Sequence, residues 1–344
     1  KSFSKFLDFS NIAESLYSIQ NIHDHVIRKT QETNEIVILE EALIDVQKNP
    51  NVSKNKFFNV AKNINIDLVL TAHPTEVKRR TLIQKYANVN NILDELNNLQ
   101  ILKKQNIKRE KEILEKKLKE EITSVWKTDE IKRSRPTAVE EAKWGLAVIE
   151  DSLWNSIPKI CSRFDSAVKK FTNKNLPINY SPIKVSSWMG GDRDGNPNVT
   201  SKTTMEVVLL SRWEAASLYE KEFTKLIQSL SLFDCSKKIK KQVGKTWEPY
   251  RVFLRPIRNK LQQTQREIED ALLEKREPKK QLLVNSINEI LDPLNEVYNS
   301  LCSVKCDIIA NGLVLDIIRL SHTFGLNLAK LDIRQESSKH TSLL

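Results

Sequence analysis

Only three stretches of this chain alternate apolar and polar residues with the two-residue period of a β-strand, and they lie far apart. The first passes through Ile64, Ile66, Leu68 and Leu70 and is stopped by Pro74. The second runs from Ile183 to Met189, halted by Gly190-Gly191, and the third from Leu328 to Arg334. From Leu68 to Ile183 is 115 residues, and from Ile183 to Leu328 is 145. Everything between reads as helix. With only 7 glycines and 11 prolines in 344 residues, the chain lacks the turn residues that an all-β sandwich or barrel consumes. A plain strand–helix unit of an eight-stranded barrel takes about 30 residues. If the three stretches are successive barrel strands, each connection carries several inserted helices. The expected class is therefore α/β, predominantly α-helical: the first three strands of a (β/α)8 TIM-type barrel with long helical insertions, an incomplete barrel.

The helices announce themselves locally. Thr137 followed by Glu140 is a capping box opening a helix that carries Trp144, Ala147, Val148 and Trp154, with Pro158 expected to end or kink it. Another long helix is expected from Thr200 to about Leu232. Glu112/Lys116 and Glu115/Lys119 have the spacing of exposed helical ion pairs, so Ile101 to Glu121 reads as a solvated face. The charged piece from Glu267 to Lys280 reads as a surface connection.

Hydrophobic residues at 40% and charged residues at 29% describe an ordinary globular chain. Subtracting 44 acidic from 55 basic side chains leaves a charge of +11, which suits a nucleic acid or phosphorylated partner without choosing between them. No apolar run approaches the ~20 residues of a membrane span, and residues 1–5 lead into no signal core. Cys161, Cys235, Cys302 and Cys306 are too few and scattered for a disulfide framework. The Cys302/Cys306 pair has no second ligand pair nearby to make a zinc site and reads as two buried thiols, in a reducing cytoplasm.

Three constellations could carry chemistry. Thr71-Ala72-His73-Pro74-Thr75 puts a histidine just past a strand's carboxyl end, with Arg79 and Arg80 beyond it. It suits proton transfer near neutral pH, or equally a hydrogen-bonded structural histidine beside a basic helix face. Trp188 to Pro197 holds three glycines within six residues, interleaved with Asp192, Arg193 and Asp194. It is neither a P-loop nor a dinucleotide fingerprint. The block either approaches a substrate closely or is a tight turn with internal Asp/Arg pairing. Arg334 ends the third strand, where its guanidinium could hold a phosphate or carboxylate, or pair with Asp332 or Glu336. All three sit where strands end, the face on which barrel enzymes place catalysis.

At these residues the chain resembles phosphoenolpyruvate carboxylases of the bacterial and plant type. The matching blocks are Val69 to Glu76, Thr128 to Ile131 with Arg135 to Ala142, Ser187 to Pro197, and Leu331 to Ser337. Ala138 and Glu140 are small departures from the family pattern. The resemblance implies carboxylation of phosphoenolpyruvate by bicarbonate to oxaloacetate and phosphate, in a cytoplasmic homotetramer. It implies Mg²⁺ or Mn²⁺ and no biotin, and no nucleic acid or membrane partner. His73 and Arg334 would be catalytic, and Trp188, Gly190, Gly191, Asp192 and Arg193 would help bind substrate. The family's metal ligands belong to its carboxyl-terminal half, so none is expected in this chain. The expected organisation is an amino-terminal helical segment over 1–63 and the amino-terminal part of a barrel domain over 64–344. That amino-terminal portion is expected to be inactive alone. The alternative is a non-catalytic helical protein whose basic surface takes a partner or nucleic acid.

Overall fold

Where turn-forming residues are scarce the chain can reverse only rarely, and long helices separated by three short strands are the result. The computed structural model describes residues 5, 8–14, 46, 49, 51–71, 80–101, 107–129 and 136–342. In chain order come α1 (Lys54–Ala61), β1 (Ile66–Leu70), α2 (Arg80–Ile101), α3 (Ile107–Lys127), α4 (Ala138–Val148), α5 (Trp154–Thr172) and β2 (Ile183–Ser187). They are followed by α6 (Ser201–Ser229), α7 (Lys237–Val243), α8 (Pro249–Leu273), α9 (Asn288–Ser303), α10 (Leu315–Phe324), β3 (Lys330–Leu331) and α11 (Ser337–Thr341). The chain divides into two compact units, residues 1–45 with 73–136 and residues 46–72 with 137–344.

The first unit is built on α2 packed against α3. Lys85 Nζ ties them by donating to Thr128 Oγ1 at 2.8 Å. Lys5, 3% exposed, sends its ammonium to the carbonyls of Val125 and Thr128, both at 2.8 Å, and of Trp126. A cation over the last carbonyls of α3 satisfies acceptors that the helix leaves unpaired and complements its dipole. The exposed pairs on α3 are Lys111–Glu115 and Lys116–Glu120, in place of the expected Glu112/Lys116 and Glu115/Lys119. On a solvated helix, competing partners one turn away differ little in energy.

The second unit centres on a parallel sheet in the order β1-β2-β3. Ile66 stands opposite Ile183, Leu68 opposite Val185, and Ser187 opposite Leu331. On β2, Ile183 and Val185 are buried and Lys184 is exposed, the alternation a half-buried strand requires. The strands are shorter than their patterns suggested. β3 keeps only two paired residues because β2 turns away after Ser187, although Asp332 N still reaches the Ser187 carbonyl at 3.0 Å.

Helices pack over β2 in one large core. At its centre Trp154 meets Tyr219 edge-to-face at 5.1 Å and stacks on Phe324 at 5.2 Å, locking α5, α6 and α10 together. The Tyr219 hydroxyl donates to the Gly325 carbonyl at 2.9 Å, and burial pushes its pKa up. Arg319, 2% exposed, pairs with Asp165 at 3.3 Å, fixing α10 to α5 just before the chain enters β3. The capping box of α4 forms as expected: Glu140 N donates to Thr137 Oγ1, and Thr137 N to Glu140 Oε2.

Three local expectations change. Pro158 does not stop its helix: a wide turn at Ile149–Leu153 precedes α5, which runs on to Thr172. The proline stands at the fifth residue of α5, where the backbone bond it forfeits is to the Trp154 carbonyl. The connection expected from Glu267 begins only after Leu273, because buried Glu267 accepts from Arg276 Nη1 at 2.5 Å and Lys279 N at 2.7 Å. Cys161 is buried, but Cys302 and Cys306 are half-buried at the rim of the core; all four cysteines are free. No helix among the described residues is long and apolar enough to cross a membrane.

Thr137→Ala removes the hydroxyl that caps α4 and should cost about 1 kcal/mol, read as a fall in Tm of about 2–4 °C by circular dichroism, while Thr137→Ser should hold the parent value.

Candidate active site

The block that leaves β2 is shaped by what its neighbours leave room for. Trp188 N donates to the Leu70 carbonyl at 3.0 Å, so the β1–β2 ladder continues one residue past the strand. The chain then reverses: Gly191 N and Asp192 N both donate to the Trp188 carbonyl, at 2.9 and 3.0 Å, and Ser187 Oγ accepts from Met189 N at 3.1 Å. Gly190 has a φ of +80°, and a Cβ there would lie 2.6 Å from Val207 Cγ2 on α6. A Cβ on Gly191 would overlap the backbone carbonyl oxygen of Asp332. The two glycines therefore let the block lie flat between α6 and the segment after β3.

That close approach makes a second pairing. Arg334 N donates to the Gly191 carbonyl and Arg193 N to the Arg334 carbonyl, both at 3.0 Å, forming a parallel bridge between Asp192 and Arg334. The same bridge brings two side chains together that are 146 residues apart. The Arg334 guanidinium lies over the Trp188 ring, 4.2 Å from its centroid. Arg334 is exposed, and its guanidinium makes no hydrogen bond or ion pair with the described residues. Neither Asp332 nor Glu336 pairs with it. Its planar fork of N–H donors is thus oriented by an aromatic face and open to an anion such as phosphate or carboxylate.

Arg193 turns the other way. Its Nη2 donates to Thr204 Oγ1 at 3.3 Å, and that hydroxyl donates to the Gly190 carbonyl at 2.9 Å. Asp192 Oδ1 accepts from Asp194 N at 3.2 Å. The block is therefore held by backbone bonds and by a threonine of α6, with no ion pair between its aspartates and arginine among the described residues. Arg193 Nε is buried and has no hydrogen-bond partner among the described residues.

The structure brings together Trp188, Gly190, Gly191, Asp192, Arg193 and Arg334. His73 lies outside the described residues, as do its neighbours 72–79 and residues 130–135 of the second matching block. Sequence reasoning missed Thr204 and Val207, which clamp the glycines from α6. The available signal was the cap: Thr200 accepts from Thr203 N and starts α6 directly after the block, so positions one and two turns on lie beside it. Among the described residues no three His, Cys, Asp or Glu side chains converge on one point.

Gly191→Ala should break the Asp192–Arg334 bridge, because its methyl meets backbone oxygen that cannot rotate away. Gly195, whose φ is +67° with open space around its Cβ position, should tolerate alanine at a cost of about 1 kcal/mol. Thermal unfolding and the ring-current shift of the Arg334 Nε–H proton in NMR spectra would separate the two variants. Equal behaviour would show that close approach is not what the block requires.

Comparison with known proteins follows the same residues. The family model described as phosphoenolpyruvate carboxylase matches residues 1–344. Among curated relatives, the phosphoenolpyruvate carboxylase of Hahella chejuensis is 41% identical over 348 residues, covering 100% of this chain and 38% of that protein. That of Tolumonas auensis is 39% identical over 344 residues, covering 100% and 38%. That of Acinetobacter baumannii is 41% identical over 350 residues, covering 99% and 37%. The chain thus spans about 38% of the length of the relatives it matches.

Proposed function

We infer the function from one premise: this chain belongs to the phosphoenolpyruvate carboxylase family. The reaction we propose is carboxylation of phosphoenolpyruvate by bicarbonate, giving oxaloacetate and inorganic phosphate without biotin. The observation that carries the reading is the Arg334 guanidinium, laid on Trp188 beside the glycine block with no ion pair or hydrogen bond among the described residues. A bicarbonate oxygen attacks phosphorus, the bond from phosphorus to the enol oxygen breaks, and carboxyphosphate and the enolate of pyruvate form. Arg334 holds phosphate oxygens through this shift of charge, as fixed donors do at a developing anion. His73 accepts the carboxyphosphate proton, CO₂ and phosphate separate, and the enolate carbon attacks CO₂. Trp188 and the loop from Gly190 to Arg193, with Asp192 at the bridge, form one wall of the bicarbonate pocket.

The finer architecture is proposed on the same premise. β1, β2 and β3 are the first three strands of a (β/α)8 barrel. The exposed apolar side chains of β1, Ile66, Leu68 and Val69, support further layers packed on this sheet, since parallel sheets are normally covered on both faces. Mg²⁺ or Mn²⁺, held by residues in the part of the family's length that this chain does not span, would neutralise charge on phosphate and enolate. The whole protein is proposed to be a cytoplasmic homotetramer, and the 344 residues alone are proposed not to turn over.

In the full-length protein, with Mg²⁺ and bicarbonate, Arg334→Gln should lower kcat/KM for oxaloacetate formation about 10²–10³-fold. His73→Asn should cut oxaloacetate output about 10²–10⁴-fold while bicarbonate-dependent phosphate release persists. Unchanged oxaloacetate output in either variant would remove that residue from the chemistry, and turnover by the 344-residue chain alone would overturn its proposed inactivity.

A further inference from the structure

Next to the glycine block, three polar groups from three different elements line one cavity of about 50 Å³. Its walls are otherwise mostly apolar, among them Met189, Val207 and Leu331. Ser187 ends β2, Ser211 stands on α6 one turn beyond Val207, and Asn327 precedes β3. Ser211 is 5% exposed, and neither its Oγ nor Asn327 Oδ1 has a hydrogen-bond partner among the described residues. Ser187 Oγ accepts from Met189 N, which leaves its own hydroxyl hydrogen to be donated. Buried polar groups are almost always paired, so two orphans and a spare donor facing one space need an account.

We propose that this cavity is a hydration site whose ligand is an ordered water. The water accepts from the Ser187 and Ser211 hydroxyls and donates to Asn327 Oδ1, so one molecule satisfies all three groups. About 10–15 Å³ of such space suffices for a water, and buried waters typically make about three hydrogen bonds, so both size and polarity match. The site joins the end of β2, which carries Trp188, to the segment that carries Arg334, through α6. Near it, Leu328 N reaches the Ser211 carbonyl at 3.5 Å. The water is a strut that sets the spacing beside the Trp188–Arg334 pair. The proposal does not depend on the reaction.

A crystal structure of the protein near 1.5 Å decides it. The expected result is a density peak within about 2.7–3.2 Å of Ser187 Oγ, Ser211 Oγ and Asn327 Oδ1. A cavity without density, or a Ser211 hydroxyl turned onto the Val207 carbonyl of its own helix, would overturn it. Ser211→Ala should lower Tm by about 2–4 °C. Adding Asn327→Leu, which replaces the second polar group and fills space, should restore much of that loss. An unchanged Tm in Ser211→Ala would count against the strut. If the double variant does not fold, the density in the parent protein still gives the answer.

Discussion

The backbone of Gly191 passes so close to the carbonyl of Asp332 that no side chain fits between them. This contact is made from both directions, since Arg334 N and Arg193 N complete two hydrogen bonds across it. Without it β3 would end as a frayed pair of residues and Arg334 would have no fixed place. With it, a segment that enters from α10 is stitched to a loop that leaves β2, and each loop becomes the other's template. The remaining features of the site are consequences. The Trp188 ring lies under the guanidinium because the bridge places the two backbones side by side.

The stacking itself is weak. At an exposed site a cation over an aromatic face contributes about 0.5–1 kcal/mol, too little to order a long side chain against its lost rotamers. The backbone bridge, the Thr204 hydroxyl under the Gly190 carbonyl and the buried core beneath α6 fix the two backbones, and the ring then has only to set the plane of the guanidinium. This division sets the plane of the guanidinium while its donors take no partner among the described residues. An arginine in a strong ion pair would have been equally rigid and unable to receive an anion. The same logic separates the two arginines of the site, since Arg193 spends its Nη2 on Thr204 and helps hold the loop.

Some of this was legible before any coordinates. The three strand stretches, the capping box at Thr137 and Glu140 and the long helix after Pro197 are local patterns, and each formed. The glycine block stood out because its glycines cluster in a chain otherwise poor in them. Exposed ion pairs on α3 shifted partners because neighbouring choices differ by tenths of a kcal/mol. Pro158 did not end its helix, which runs on to Thr172; the wide turn at Ile149–Leu153 lies just ahead of it.

Periodicity and composition settled that the described residues are mainly helical with three short strands, because helix and strand repeats are written within a dozen neighbouring residues. They also marked Trp188 to Pro197 and Arg334 as places where unusual chemistry meets strand ends. Which alternative each would realise was decided by tertiary structure alone. Arg334 could have paired with Asp332 or Glu336, both within two residues, and instead lies on a ring 146 positions away. That choice depends on how α5, α6 and α10 pack around Trp154, on the room a missing Cβ leaves at Gly191, and on the path from α10 into β3. Distances across a folded core have no counterpart in local sequence, so only the assembled molecule could set them.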